Sequence, residues 1–232
     1  MTSIGAVEIT PQLLTTFGGS LKLQMSNVGV KAASKNVLTN IDALCLPGEI
    51  TGLVGVSGAG KTTALHCLGL LIAPDEGAVL VNGEATAKWS DKKRRLFWRN
   101  QATFIFQDYG LVDEESVAYN IALGVRSRKA QESIDDALAM VGLEGRGSET
   151  ISRLSGGEKQ RVGLARAIAK GATCIFADEP TASLDAKNRS MVIQLLRERA
   201  QAGATVVLAT HDEEAMEACN SLIRLVPPAQ MD

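Results

Sequence analysis

The stretch "ITGLVGVSGAGKTTALHCLGLLI", residues 50–72, leaves a chain few ways to fold. Its first residues are almost continuously apolar, as a strand covered on both faces must be. Gly55, Gly60, Lys61 and Thr62 then fall in the order G-x-x-x-x-G-K-[ST], and a helical pattern follows. In that strand-to-helix context the motif builds a phosphate site: glycines let successive backbone N–H groups curl round the anion, and the helix N-terminus adds partial positive charge. The cradle is expected to comprise Gly55, Ser57, Gly58, Ala59, Gly60, Lys61, Thr62 and Thr63, with Lys61 on the terminal phosphates and the Thr62 hydroxyl on Mg²⁺.

Three further runs, "ATFIFQ", "TCIFAD" and "TVVLAT", are also short and nearly all apolar, and helical patterns separate them. That alternation predicts an α/β fold around a mostly parallel sheet, with ligands outside the carboxyl ends of the strands. "LKLQM" from Leu21 and "IDALCL" from Ile41 predict an antiparallel side layer, joined by "VLVNGEA", where Asn82-Gly83 signals a two-residue hairpin. At 232 residues and 45% hydrophobic content, one large α/β domain is readily filled.

The four strand ends carry Gly55 to Thr62, Gln107, Asp178 with Glu179, and His211. Each is useful for handling a phosphate, its metal or an attacking water. Asp178 is expected in the magnesium shell and Glu179 as the carboxylate that orients or deprotonates water. Gln107 would contact Mg²⁺ or that water, and His211 would donate to the γ-phosphate as it gains charge. His66, on the helix after the loop, reads as packing.

Lys+Arg 24 against Asp+Glu 26 leaves a net charge of -2, which disfavours nucleic acid as a partner. Four scattered cysteines, Cys45, Cys67, Cys174 and Cys219, make no zinc pattern and read as reduced, mostly buried thiols. The N-terminus has neither the basic start nor the apolar core of a secretory signal, and residues 1–20 form an extension with no assigned role. No window approaches the ~18 apolar residues needed to span a bilayer, so a membrane role must come through a partner.

In "RLSGGEKQR", residues 153–161, Ser155 and Glu158 satisfy a capping box at the head of a helix. Capping does not account for the adjacent Gly156 and Gly157, which are entropically costly unless the backbone must approach something closely. Taken together, "GVSGAGKTT", "LSGGEKQRVGLARAI", "CIFADEPTASLD" and "THD" resemble the nucleotide-binding domain of ABC (ATP-binding cassette) transporters, over residues 21–226. The resemblance implies a single domain over residues 21–232 with a small helical subdomain at about 108–170. It implies an ATPase that forms a head-to-tail homodimer, or pairs with a related subunit, around two Mg-ATP. Ser155, Gly156 and Gly157 would hold the γ-phosphate of ATP on the partner's P-loop, and Ser183 and Asp185 would belong to a loop crossing the interface. The loop of Gln107 would sense an integral membrane permease, with the chain cytoplasmic and peripheral on the inner face of the membrane.

The subgroup it looks most like comprises the lipoprotein-release, macrolide-export and cell-division ATPases, which share Glu158 where glutamine is usual, and "IFQDYGLVDEESVAYNI" is similar to bacteriocin-export ATPases. One departure concerns the base: no Phe, Tyr or Trp occurs between Gly29 and Lys35, where family members stack adenine. Lys31 or a neighbour would cover it instead, without a π-face. The basic "SDKKRRLFWR" from Ser90 reads as a solvated amphipathic helix, with a membrane or partner contact as the alternative. A regulatory ATPase acting on membrane proteins without transport, and a soluble iron-sulfur-assembly type, are the competing functional readings.

Overall fold

The structure, a computed structural model, describes residues 20–33, 35–125, 130–182 and 184–227. The N-terminal extension, apart from Ser20, and Ser183 lie outside them. In chain order the elements are β1 (Leu23–Ala32), β2 (Lys35–Cys45), β3 (Ile50–Val54), α1 (Lys61–Leu68), β4 (Glu76–Val81) and β5 (Glu84–Ala85). There follow α2 (Asp91–Asn100), β6 (Ala102–Ile105), α3 (Val117–Ala122), α4 (Ala130–Met140), α5 (Gly156–Lys170) and β7 (Cys174–Asp178). The last are α6 (Ala186–Gln201), β8 (Thr205–Thr210), α7 (Glu213–Glu217) and β9 (Ser221–Arg224).

The four apolar runs pair in parallel, joined by β9, in the order β6-β7-β8-β3-β9. Side chains alternate across a strand, so a strand apolar at every position must supply two cores. Here Ile50, Ile105, Ile175, Ala177, Val206 and Leu208 join α3, α4, α5 and α6 in one cluster. Their neighbours Leu53, Phe104, Phe176, Val207 and Ala209 join α1 and the side layer in the other. The stretch expected as a helical subdomain therefore shares its core with one face of the sheet.

The side layer is antiparallel, in the order β2-β1-β4-β5. Asn82 (φ 51) and Gly83 (φ 81) turn β4 into β5 with both central residues left-handed, as that dipeptide predicts. Two differences from the sequence reading have local causes. α1 stops at Leu68, where Gly69 caps it, so Leu71 and Ile72 stay exposed beyond its end. β9 was not expected at all.

Ser90 N-caps α2, whose basic face is exposed while Phe97 is buried edge-on to Trp89 at 5.8 Å. Trp98 leans on Phe104 and Phe176 at 6.2 and 6.3 Å, and His66 lies edge-on to Phe104 at 5.3 Å, a packing residue as read. Cys45, Cys67 and Cys174 are buried free thiols and Cys219 is half-buried; burial pushes the first two up to about 12. Replacing Phe97 (2% exposed) by Ala should cost about 3–5 kcal/mol in urea denaturation. Leu96→Ala, on the solvent side of the same helix (42% exposed), should stay within about 0.5 kcal/mol.

Candidate functional site

At the end of β3 the chain needs glycine at two places. A Cβ on Gly55 would lie 2.5 Å from the Leu225 carbonyl oxygen, and Gly60 is left-handed (φ +88), with a Cβ meeting Leu38 at 2.6 Å. Between them Val56, Ser57 and Gly58 are exposed and Ala59 is buried, which pins the loop while its lip faces solvent. Gly60 is the N-cap of α1 and supplies no side-chain acceptor, and no acid sits in the first turn. The helix N–H groups and their partial charge are thus left for an anion. Lys61 Nζ donates to the Gly55 and Val56 carbonyls at 2.9 and 3.3 Å, across the mouth of the loop.

The neighbouring strand ends meet this loop. Glu179 Oε1 lies 3.9 Å from Lys61 Nζ and 2.8 Å from His211 Nδ1, while the Thr210 hydroxyl donates to Oε2 at 3.4 Å. Glu179 is buried with φ 46, a left-handed backbone that a β-unbranched acid tolerates only when its surroundings impose it. They do: its N–H donates to the Ala209 carbonyl at 2.9 Å, and its carbonyl accepts from Ala182 N–H at 3.2 Å and Gln160 Nε2 at 3.4 Å. His211 is 70% exposed at the opposite rim. The arrangement holds one carboxylate between a cation, an imidazole and a hydroxyl, aimed at the loop.

Asp178 supplies the test for a metal. Its Oδ1 is buried and has no hydrogen-bond partner, and the Thr62 hydroxyl is near enough to its carboxyl to favour the charged form. Burial, the largest effect, pushes that carboxyl above the usual range, with the Thr62 hydroxyl working against it. An orphaned hard oxygen beside a hydroxyl fits Mg²⁺, which takes one or two protein oxygens and fills its shell with phosphate and water. No group of three or more His, Cys, Asp or Glu that could cage a metal occurs among the described residues.

Gln107 is exposed, in a turn just beyond β6, and no hydrogen bond joins its side chain to this cluster among the described residues. Its loop is tied to α5 instead. Arg166 donates to the Gly110 and Tyr109 carbonyls at 2.7 and 3.4 Å, and Lys159 pairs with Asp113 at 2.8 Å. A Cβ on Gly156 would come 2.7 Å from the Tyr109 hydroxyl, the end of a side chain that can swing aside, so a larger residue there needs Tyr109 to move.

Ser155 N-caps α5 with the expected capping box: Glu158 N–H donates to Ser155 Oγ at 3.3 Å, and Ser155 N–H donates to Glu158 Oε2 at 2.7 Å. No hydrogen bond joins Ser155, Gly156 or Gly157 to the phosphate loop among the described residues. Asp185 N-caps α6 through Asn188, whose N–H and Nδ2 donate to its two oxygens at 2.8 Å each, and Arg161 of α5 donates to Asn188 Oδ1. Sequence reasoning missed Thr210, Gln160 and Tyr109. Only the buried Gln160 left a trace, as an amide on the apolar side of a helix.

The chain matches the ABC transporter family over residues 38–182. It is 36% identical over 210 residues to the lipoprotein-releasing system ATP-binding protein LolD of Bacteroides thetaiotaomicron, covering 88% of this chain and 96% of that protein. It is 36% identical over 193 residues to the macrolide export ATP-binding/permease protein MacB of Bdellovibrio bacteriovorus, covering 82% of this chain and 30% of that one. A dimeric ATP-binding cassette in a post-hydrolysis state with ADP and Pi superposes with a TM-score of 0.80 at 30% identity, covering 88% of this chain and 94% of that one. Lys61→Ala should abolish stabilisation by Mg-ATP in a thermal melt. At nucleotide about 100-fold above Kd the unaltered chain should gain about 2.7 kcal/mol, a rise of roughly 5–10 °C.

Proposed function

The chain belongs to the ABC transporter family and is an ATP-binding cassette ATPase; from that premise we propose that it is the energy-coupling subunit of an exporter. Two copies close head to tail around two Mg-ATP and drive a separate integral membrane permease. One observation carries this reading. The loop around Lys61 has its carboxylate, imidazole and metal-ready oxygen beside it, whereas the exposed cap at Ser155 is bonded to none of them. A second phosphate-ready end without its own reaction centre fits the nucleotide of another subunit.

In this reading Glu179 takes the proton of the attacking water, held in place by Thr210 and its constrained backbone. His211, hydrogen-bonded to that carboxylate, stands where it can also donate to the γ-phosphate. Lys61 leaves its loop carbonyls for the β- and γ-phosphates. Thr62 and Asp178 would hold Mg²⁺, which neutralises charge developing on the phosphate oxygens. Gln107, on the exposed turn after β6, would contact Mg²⁺ or the attacking water, and its loop would carry the sensor role. Hydrolysis removes the bridging phosphate and leaves two anions in its place, which favours reopening.

In this reading the permease docks in a cleft of about 620 Å³ between α2 and the C-terminal ends of α3 and α5, lined by Arg94, Arg95, Trp98, Arg99, Leu123, Gly124 and Lys170. Four cations line it with no carboxylate, and Leu123 is 58% exposed. Burial, with the charge of Arg166, brings the Lys170 ammonium down to about 8 although it donates to the Trp98 and Ala102 carbonyls at 2.7 and 2.6 Å. An acidic segment with one apolar side chain matches this lining. No helix among the described residues is long and apolar enough to cross a membrane.

Light scattering of Glu179→Gln should show a dimer with Mg-ATP and a monomer without it, and Ser155→Arg in that background should remove the dimer. A chain that binds Mg-ATP yet stays monomeric, alone and with its co-purified permease, would end the sandwich reading. Base recognition is weak in the same reading: Lys31 is already paired with Glu76 at 2.8 Å, and its N–H donates to Asp75 at 2.7 Å. Kd values for ATP and GTP should therefore agree within about tenfold by calorimetry, since no aromatic face adds its ~1 kcal/mol to one base.

A further inference from the structure

We propose that Arg146 is a positioning and charge-compensating residue for the Ser155 cap, acting through Glu158 so that this end of α5 can receive a phosphate held by a second copy of the chain. The inference rests on the head-to-tail reading above. Ser155 Oγ accepts from Glu158 N–H at 3.3 Å and donates its own proton to Glu158 Oε2 at 2.8 Å, while Ser155 N–H donates to the same oxygen at 2.7 Å. One oxygen of Glu158 is thus committed to the serine. The other, Oε1, accepts from Arg146 Nη1, whose Nε and Nη2 fork onto Glu149 at 2.8 and 2.7 Å.

This places a full carboxylate within hydrogen-bond distance of the hydroxyl that an incoming phosphate would have to share. Like charges so close oppose binding unless a cation intervenes, and proton uptake offers no relief: Arg146, then the Ser155 bonds, hold Glu158 down to about 2. Of the other charges nearby, Lys159 is already paired with Asp113, and Arg153 acts on Glu149 rather than on Glu158. Arg146 also keeps Glu158 from binding the serine proton too strongly, because an acceptor neutralised on one oxygen is a weaker acceptor on the other. Its guanidinium comes from the loop after α4, so the charge balance at the cap depends on how that loop sits against α5.

The test uses the full chain with Glu179→Gln and reads dimerisation against Mg-ATP concentration by light scattering, beside nucleotide binding by the monomer. Arg146→Met should leave monomer binding unchanged and raise the ATP needed for half-dimerisation by about tenfold, less so at high salt. Adding Glu158→Gln, which keeps the capping acceptor and removes the charge, should restore dimerisation to within about twofold of Glu158→Gln alone. Arg146→Lys, which keeps the charge without the fork, should lie near the parent and serves if the methionine variant does not fold. A defect that persists in the double variant, or appears equally in Arg146→Lys, makes Arg146 a structural strut and overturns the proposal, as does Arg146→Met dimerising like the parent. A parent that never dimerises with Mg-ATP fails at the earlier step and refutes the head-to-tail reading itself.

Discussion

The register of three parallel strands is what the site depends on. Val54 of β3 pairs with Thr210 of β8, and Ala209 of β8 pairs with Asp178 of β7. The next residue on each strand, Gly55, His211 and Glu179, therefore leaves the sheet at the same edge. Side chains alternate along a strand, so a slip of one residue in either pairing would turn Asp178 or Thr210 toward the wrong face and part Glu179 from His211. The register is itself held by the two cores: Phe104, Phe176 and Val207 face one way, and Ile105, Ile175 and Val206 the other. Any shift would exchange both sets, placing phenylalanines where the helices α5 and α6 leave room for smaller side chains.

That dependence explains how strain and desolvation can persist at the edge. A left-handed Glu179 and a buried Asp178 oxygen without a partner are each unfavourable by on the order of 1–3 kcal/mol. Neither can relax, because Glu179 N–H is bonded to Ala209 and Asp178 ends a fully buried strand. The cost falls on a structure with a two-sided core, and the result is a carboxylate pair oriented before any ligand arrives.

Much of this was legible in the sequence because it is written in local patterns. Continuous apolar runs gave away the two-faced strands, Asn82-Gly83 the hairpin, and Ser155 with Glu158 the cap. The four-residue β9 escaped because "SLIR" alternates over too short a window to distinguish it from a turn, and its pairing with β3 is wholly long-range. The partners of Glu179 were half visible: His211 ends a strand, but Thr210 and Gln160 act only through the fold, 31 and 19 residues away from Glu179. Arg146 and Tyr109 were invisible for the same reason, since a single polar contact across loops has no period to read. The close neighbour of Gly156 within the chain is the Tyr109 hydroxyl, which no sequence pattern marks.

The side-chain ties of α5 run to several elements at once, and Lys170 at its end donates to the Trp98 carbonyl of α2 and the Ala102 carbonyl of β6. Gln160 holds the Glu179 carbonyl, Arg161 holds Asn188 beside the Asp185 cap, and Arg166 holds the loop that carries Gln107. At its head, Glu158 is held by Arg146 from the loop after α4. Strands bound by regular ladders move as one, whereas loops held by single side-chain bonds can shift at modest cost. A helix tied by side-chain bonds to α2, β6, α6 and the loops around them, with an apolar face buried against the sheet, is restrained in position but not locked. Displacing it must either carry those loops along or break their bonds one at a time. The bond to the Glu179 carbonyl, at 3.4 Å, is among the longest of them, so the backbone of the reaction-centre residue is one of the places where such a displacement would be felt first.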